Sequence, residues 1–329
     1  MSRSPISMIT GTGHAVPEKI LTNLDLEKMV DTSDEWITTR TGIKERHVVS
    51  DGMTNSDLCA EAGRIALENA GINAEELDAI ILGTVSGDVH FPATSCYIQE
   101  KLGAVNAVAF DLSAACSGFI YCLNVADSLL RDDRYKNILV FGAETLTRIT
   151  NWEDRNTCVL FGDGAGAAVL QPSDGKKGIL GLYVKSDGRL TKLLMNPGHY
   201  TGKDYLDSDG NKMLPFINMK GREVFKHAVK AMEESVKKVI EQAGVSIDDI
   251  DLLIPHQANV RIIEMLADRL KMDKDKVYVN IHKYGNTSAA TIPIALDETR
   301  KNGKLPDGSL CLMTVFGGGF TWGAALVRF

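Results

Sequence analysis

Three short stretches carry side chains able to do chemistry without a metal: DLSAACSGF (111–119), IPHQAN (254–259) and HKYGNTSAA (282–290). In the first, Cys116 stands among small residues where an apolar helix should begin. A buried structural cysteine needs no such tight turn, but a nucleophile does. A thiol at a helix N-terminus meets the positive end of the dipole, which favours thiolate and lowers its pKa. A thiolate can take an acyl group from a thioester, and the oxyanion then formed needs N–H donors of the kind glycine-rich turns supply. A neutral imidazole (His256) and a carboxamide (Asn286) can together hold a thioester carbonyl or an enolate oxygen. Each residue also has a plainer reading. A lone cysteine is more often structural, His256 follows a proline as a turn histidine would, and Asn286 after Gly285 is an ordinary turn or cap residue. Only their joint placement argues for a site.

That placement comes from an internal repeat. AGINAEELDAII (70–81) is answered by AGVSIDDIDLLI (243–254), 173 residues later, while SAA (113–115) and VFGA (140–143) recur as SAA (288–290) and VFGG (315–318), 175 residues later. Two halves of similar fold follow, 1–170 with the cysteine and 171–329 with the histidine and asparagine. Each alternates helix and strand. SDLCAEAGRIALENAG, FIYCLNVADSLLRD, VFKHAVKAMEESVKKVIEQAG and TSAATIPIALDETRKNG read as helices; LDAIILGTV, NILVFGA, DLLIP, VYVNI and LCLMTVFGG read as strands. Apolar runs without alternation imply strands buried on both faces, hence two sheets sharing a central helical layer. FGDGAGAAVL and FGGGFTWGAAL lack a nucleotide-loop pattern and read as turns into the last strand of each half. Residues 187–215 read as a long loop. In open α/β sheets function gathers at strand carboxyl ends, and the shared SAA puts Cys116 and Asn286 at equivalent helix starts near a pseudo-twofold axis.

Composition sets outer limits. The 329 residues are 44% hydrophobic and 24% charged, enough for a sizeable core. A net charge of -7 argues against nucleic acid as the main partner. No apolar run nears the roughly 20 residues of a membrane span, and MSRSPISMITGTG lacks the features of a signal peptide. Six cysteines without CxxC spacing disfavour a zinc site and a disulfide framework, so the expectation is reduced thiols in the cytoplasm and no metal.

At these residues the chain resembles the β-ketoacyl-acyl carrier protein synthase III family of the thiolase superfamily. DLSAACSGF, IPHQAN, GNTSAA and FGGGFTWGAALVRF carry the resemblance, which runs from GTGHAVPE to Phe329. It implies a homodimer with a thiolase-like five-layer αβαβα fold that starts fatty acid synthesis. An acyl-CoA primer would be condensed with malonyl-acyl carrier protein, releasing CO2, with acyl-CoA as substrate and no cofactor. Cys116 would be acylated, His256 and Asn286 would promote decarboxylation, and the N–H groups of Cys116 and Gly318 would form the oxyanion hole. TSDEWITTRTGI resembles the CoA-binding segment, placing Trp36 and Arg40 near the nucleotide, with Arg155 facing Trp36 across the adenine. Gly221 and Asn259 would line the pantetheine tunnel, and Lys226 and Arg261 would meet the carrier protein. Phe91 would close the acyl pocket across the dimer interface, favouring acetyl-CoA or a similarly short primer.

Specific residues disfavour relatives within the superfamily. Chain-elongating enzymes use two histidines, where GNTSAA has an asparagine; degradative thiolases place a second cysteine in the C-terminal glycine turn, where VFGGGF has none. A thiolase-fold synthase of a specialised acyl product with the same triad stays open. A non-catalytic acyl- or carrier-protein-binding module is made improbable by the intact Cys, His and Asn set.

Overall fold

The runs AIILG (Ala79–Gly83) and ILVFGAET (Ile138–Thr145) contain no polar alternation, and every residue of both strands is buried in the computed structural model, which describes residues 4–198, 205–206 and 210–329. Strands apolar on both faces need cover on both faces. Ile81 and Val140 accordingly join a central core, whereas Ile80, Leu82, Leu139 and Phe141 join an outer one.

Two sheets result. The N-terminal sheet has five strands in the order Ser7–Ala15, Asp163–Pro172, Ile138–Thr145, Ala79–Gly83, Val108–Leu112. The C-terminal sheet has four, in the order Gly178–Ser186, Thr321–Arg328, Leu310–Gly317, Leu252–Pro255. Both follow one plan: two antiparallel pairings, then parallel pairing toward the far edge. Helices Gly118–Leu129 and Thr291–Lys301 fill the space between the sheets. Asn55–Ala70 and Thr94–Leu102 cover the outer face of the first sheet, Gly221–Ala243 and Val260–Leu270 that of the second. The layers therefore run αβαβα. Local signals set the boundaries: Thr54 and Asp57 form a capping box ahead of Asn55, and Gly71 closes that helix in the left-handed region. No helix among the described residues is long and apolar enough to cross a membrane.

Two sequence expectations need correction. VYVNI is not a strand; a single parallel bridge, Leu253 to Val277, stands where the first half has Val108–Leu112. The backbone N–H of Asn280 donates instead to Gln257 Oε1 (3.1 Å), and a helical turn begins at Ile281. The shared SAA also misaligns the halves. Both helix starts are entered through a 3-10 turn whose first residue has positive φ, Ala115 (47°) and Ser288 (50°). These positions differ by 173 residues, the offset of the AGI and AGV segments, so Cys116 corresponds to Ala289 and Asn286 lies two residues before the turn.

The turns seat on the strands because glycines admit them. A Cβ on Gly142 would lie 2.1 Å from the Ala289 carbonyl oxygen, and one on Gly83 2.6 Å from the Gly118 carbonyl carbon. Gly142→Ala is expected to cost about 1–3 kcal/mol or more through this clash. Gly188→Ala, where a Cβ meets nothing within 4 Å, is the control and should be nearly neutral. Thermal and denaturant unfolding of the two variants, compared with the parent, checks the difference.

Candidate active site

Cys116 reaches its position because the edge strand Val108–Leu112 ends and the chain turns sharply through Ala115 into the helix that starts at Gly118. The last glycine of the strand Leu310–Gly317 packs on this turn from the other half. A Cβ on Gly317 would be 2.7 Å from the Cys116 amide nitrogen, and one on Gly318 would be 3.5 Å from the Ala115 Cβ. The two glycines thus bring the C-terminal turn against the nucleophile's backbone, and Gly318 itself lines the cavity above it.

His256 follows the strand Leu252–Pro255 and is buried, its N–H donating to the Thr314 carbonyl at 2.8 Å. Its Nδ1 lies 2.7 Å from the Thr291 hydroxyl. Burial pulls the imidazole pKa down to about 3, so the ring is neutral. Asn286 is clamped through its backbone, with its N–H on the Leu160 carbonyl (2.8 Å) and its carbonyl accepting from Gly162 N–H (3.1 Å). Its Oδ1 accepts the Ser288 N–H at 2.9 Å, which leaves the Nδ2 amino group to donate into the cavity.

The thiol departs from the sequence expectation. Burial pushes Cys116 up to about 11; the Ser288 side chain and the cysteine's own N–H pull the other way, and the Glu144 charge adds to the rise. The helix proper begins two residues beyond the sulfur-bearing residue. The thiol is therefore protonated at neutral pH and needs somewhere to send its proton.

Cys116, His256 and Asn286 share one cavity of about 1560 Å³. Trp36, Arg40, Gly221 and Asn259 line its mouth. Arg40 and Arg155 place their guanidinium carbons 4.6 and 5.2 Å from the Trp36 ring centre, so the two cations face the indole directly. Asn259 caps the helix Val260–Leu270 and also holds the Arg40 carbonyl at 3.1 Å. Arg261 is exposed and bonds the Thr39 carbonyl at 3.1 Å; Lys226 is exposed on the helix Gly221–Ala243 and stands outside the cavity lining. Phe91 is likewise outside it, 86% exposed. Of the stretch 187–215, the described residues Leu194, Met195, Asn196, Gly198 and Pro215 line the cavity. A 3-10 turn at Gly188–Leu193 leads to Leu194–Met195, which pairs with Asn218–Met219, while 199–204 and 207–209 lie outside the described residues. Among the described residues no cluster could hold a metal ion.

Sequence reading missed Glu144, Ser288 and Thr291, which stand directly behind the site. Ser288 and Thr291 lay inside quoted segments as apparently plain turn residues. Glu144 ends an apolar run, and a carboxylate so deep in a strand was the available signal. Arg46 was missed as well. Its fully buried guanidinium bonds Asn23 Oδ1 (2.9 Å) and the Val159 carbonyl (2.7 Å), tying the Trp36 segment to the chain beside Asn286.

Comparison with known proteins agrees with this arrangement. The family model described as 3-oxoacyl-[acyl-carrier-protein] synthase III matches residues 110–188, and that of its C-terminal part matches residues 240–329. The chain is 53% identical over 320 residues to a β-ketoacyl-[acyl-carrier-protein] synthase III of Caldanaerobacter subterraneus subsp. tengcongensis, covering 97% of each. It resembles the crystal structure of the corresponding synthase III from Aquifex aeolicus with a TM-score of 0.90 at 52% identity, over 98% of this chain and 100% of that one. A Thermus thermophilus synthase III structure gives a TM-score of 0.92 at 41% identity, over 98% of both chains.

The burial of His256 has a direct consequence. Because desolvation disfavours the imidazolium, the ring binds a proton only near pH 3 and is neutral at every higher pH. The ring NMR signal lost in His256→Ala should stay fixed from about pH 5 to pH 8, the range where an ordinary histidine titrates. A midpoint near the usual value for that signal would contradict the burial.

Proposed function

Because the chain belongs to the 3-oxoacyl-[acyl-carrier-protein] synthase III family, and is thereby an acyltransferase that initiates fatty acid synthesis, we propose that Cys116, His256 and Asn286 divide its reaction between them. Cys116 takes a short acyl group from CoA. Malonyl-acyl carrier protein then enters the same cavity, loses CO2, and its enolate carbon attacks the Cys116 thioester to give β-ketoacyl-acyl carrier protein. The observation that carries this reading is the convergence of the thiol, a neutral buried imidazole and an oriented carboxamide in one cavity. Neutral donors suit the step, since an enolate oxygen is stabilised by fixed dipoles in a water-poor site. Nδ2 of Asn286 supplies one donor. Nε2 of His256 supplies the other when the Thr291 hydroxyl turns its hydrogen from the Ser288 carbonyl, 3.0 Å away, onto Nδ1. The Cys116 and Gly318 N–H groups hold the oxyanion of acyl transfer.

The cavity mouth fits CoA in the same way, with Trp36, Arg40 and Arg155 toward the nucleotide and Gly221 and Asn259 along the pantetheine arm. Lys226 and Arg261, exposed beside the mouth, face an acidic carrier protein. Acyl-CoA is consumed as substrate, and no cofactor takes part. A second copy of the chain covers the edge strand Val108–Leu112, where Val85, Val89, Phe91, Val105 and Val108 expose apolar surface. Phe91 then reaches the partner's acyl pocket. The enzyme works in the cytoplasm, in keeping with its free cysteines. About half-identity along nearly the whole chain to synthases III disfavours a specialised acyl product.

Two experiments check the division of labour. Acetyl-CoA should add one acetyl group to the native protein by intact mass and none to Cys116→Ser. His256→Ala and Asn286→Ala should still accept acetyl yet lose about 10²-fold or more in malonyl decarboxylation, the usual cost of an oxyanion donor. Equal loss of both half-reactions would contradict the assignment. For chain length, overfilling a packed pocket costs about 1–3 kcal/mol, so acetyl should be preferred to medium primers by about tenfold to hundredfold. Phe91→Thr should relax that preference while leaving acetylation intact; unchanged selectivity in a variant that is still dimeric would remove Phe91 from the pocket.

A further inference from the structure

Ser288 holds both side chains assigned to the enolate. Its N–H donates to Asn286 Oδ1 (2.9 Å), and its carbonyl accepts the Thr291 hydroxyl (3.0 Å), whose oxygen lies 2.7 Å from His256 Nδ1. Its own hydroxyl donates to the buried Glu144 Oε1 (3.1 Å), anchoring a residue that stands at φ 50°. The two holds differ in kind. A backbone N–H cannot reverse, so Asn286 presents Nδ2 as a donor at all times. A hydroxyl can reverse. Thr291 Oγ1 has one hydrogen and two neighbours able to take it. With the hydrogen on the Ser288 carbonyl, Nδ1 carries the ring proton in its contact with Oγ1, and Nε2 is a bare acceptor. With the hydrogen turned onto Nδ1, the ring proton sits on Nε2. The first arrangement makes two hydrogen bonds, Nδ1–H to Oγ1 and Oγ1–H to the carbonyl, and the second makes one. The second still orphans no carbonyl, because Ser288 also accepts the Thr291 N–H. It does leave an Nε2–H that no group among the described residues accepts, so a ligand has to accept it.

We propose that Thr291 sets the tautomer of His256 and makes it depend on the ligand: without substrate Nε2 is an acceptor, and a substrate carbonyl or enolate oxygen draws the ring proton from Nδ1 to Nε2. This deepens the enolate-donor reading of His256 and rests on it. The ring gives up one proton at Nδ1 to solvent and takes one from solvent at Nε2, so its charge is unchanged, while the Thr291 hydrogen rotates from the carbonyl onto Nδ1. Burial keeps the ring neutral in both forms. Binding an acceptor therefore sacrifices one internal hydrogen bond, and the native protein holds that ligand more weakly than a ring already protonated on Nε2 would. Thr291 is buried and stands outside the cavity lining, so it is a positioning residue that acts through His256. Valine in its place keeps the shape but offers Nδ1 no acceptor. A buried N–H is rarely left unpaired, so the proton of that variant belongs on Nε2 from the start.

The test reads the ring nitrogens of His256 by nitrogen NMR in the full chain with ring-labelled histidine, the signals being assigned by their loss in His256→Ala. Without ligand, the native protein should show a protonated Nδ1 and a bare Nε2. The amide analogue of malonyl-CoA, whose carbonyl accepts a hydrogen bond but whose carboxylate is not readily lost, should exchange the two. In Thr291→Val, Nε2 should be protonated before any ligand is added. That variant should bind the analogue about two- to tenfold more tightly than the native protein, the worth of one hydrogen bond. Thr291→Ser, which keeps the hydroxyl, should restore the native tautomer and affinity. A protonated Nε2 in the ligand-free native protein, or no exchange at saturating analogue, overturns the switch, and neither result depends on a variant that folds. Weaker binding by a folded Thr291→Val, as a purely structural role predicts, overturns it as well. A His256→Ala protein that decarboxylates malonyl-carrier protein at the native rate overturns the enolate-donor reading itself, whatever the tautomer.

Discussion

The site depends on how closely two helix starts approach the sheets and each other. The turn before Gly118 and the turn before Thr291 meet between the layers, each entered through a residue with positive φ. They can meet only because Gly83 and Gly142 leave no Cβ in the way, and because Gly317 lets the last turn of the C-terminal sheet press on the Cys116 amide. Everything chemical follows from that contact. It sets Ser288 beside Cys116, puts Thr291 behind His256, and directs the Asn286 carboxamide. A duplicated fold gives the approach for free in each half, and the halves then diverged in what they placed there.

Burial sets the charge state of the site. Desolvation holds Cys116 as a thiol, His256 as a neutral ring and Glu144 near the point of gaining a proton. Carboxylates nearer the surface behave oppositely: the Lys101 ammonium beside Asp57 and the Lys177 and Arg300 cations beside Asp307 hold both to about 2. The buried groups of the site are held by hydrogen bonds, while the surface is dressed with ion pairs whose worth is small.

Much of this was legible in the residues. Unbroken apolar runs gave the doubly covered sheets, glycine stops gave helix ends, and the repeat pointed to a shared central layer. Segment resemblance reached Cys116, His256 and Asn286. What stayed hidden depends on three-dimensional context. The failed strand at 277–281 has the right β-branched residues, but Gln257 and Glu298 claim Asn280 through side-chain bonds that no pattern announces. The SAA match looked like equivalence because identical letters recur, whereas the backbone turn, carried by Ala115 in one half and Ser288 in the other, keeps a different offset. The thiol's proton affinity depends on desolvation, a property of everything around it rather than of its own neighbours in sequence.

The aromatic stack at the cavity mouth carries one more consequence. Two guanidinium groups lie against Trp36, and Arg155 is also tied to the Asp31 carbonyl at 2.6 Å. At 5.2 Å the space between Arg155 and the indole is too narrow for another planar ring, which would need roughly twice a stacking distance. A planar guest could not simply add a layer there; it would have to trade places with the arginine, breaking one cation–π contact to make new ones. Such an exchange discounts the affinity of the guest by the contact it displaces.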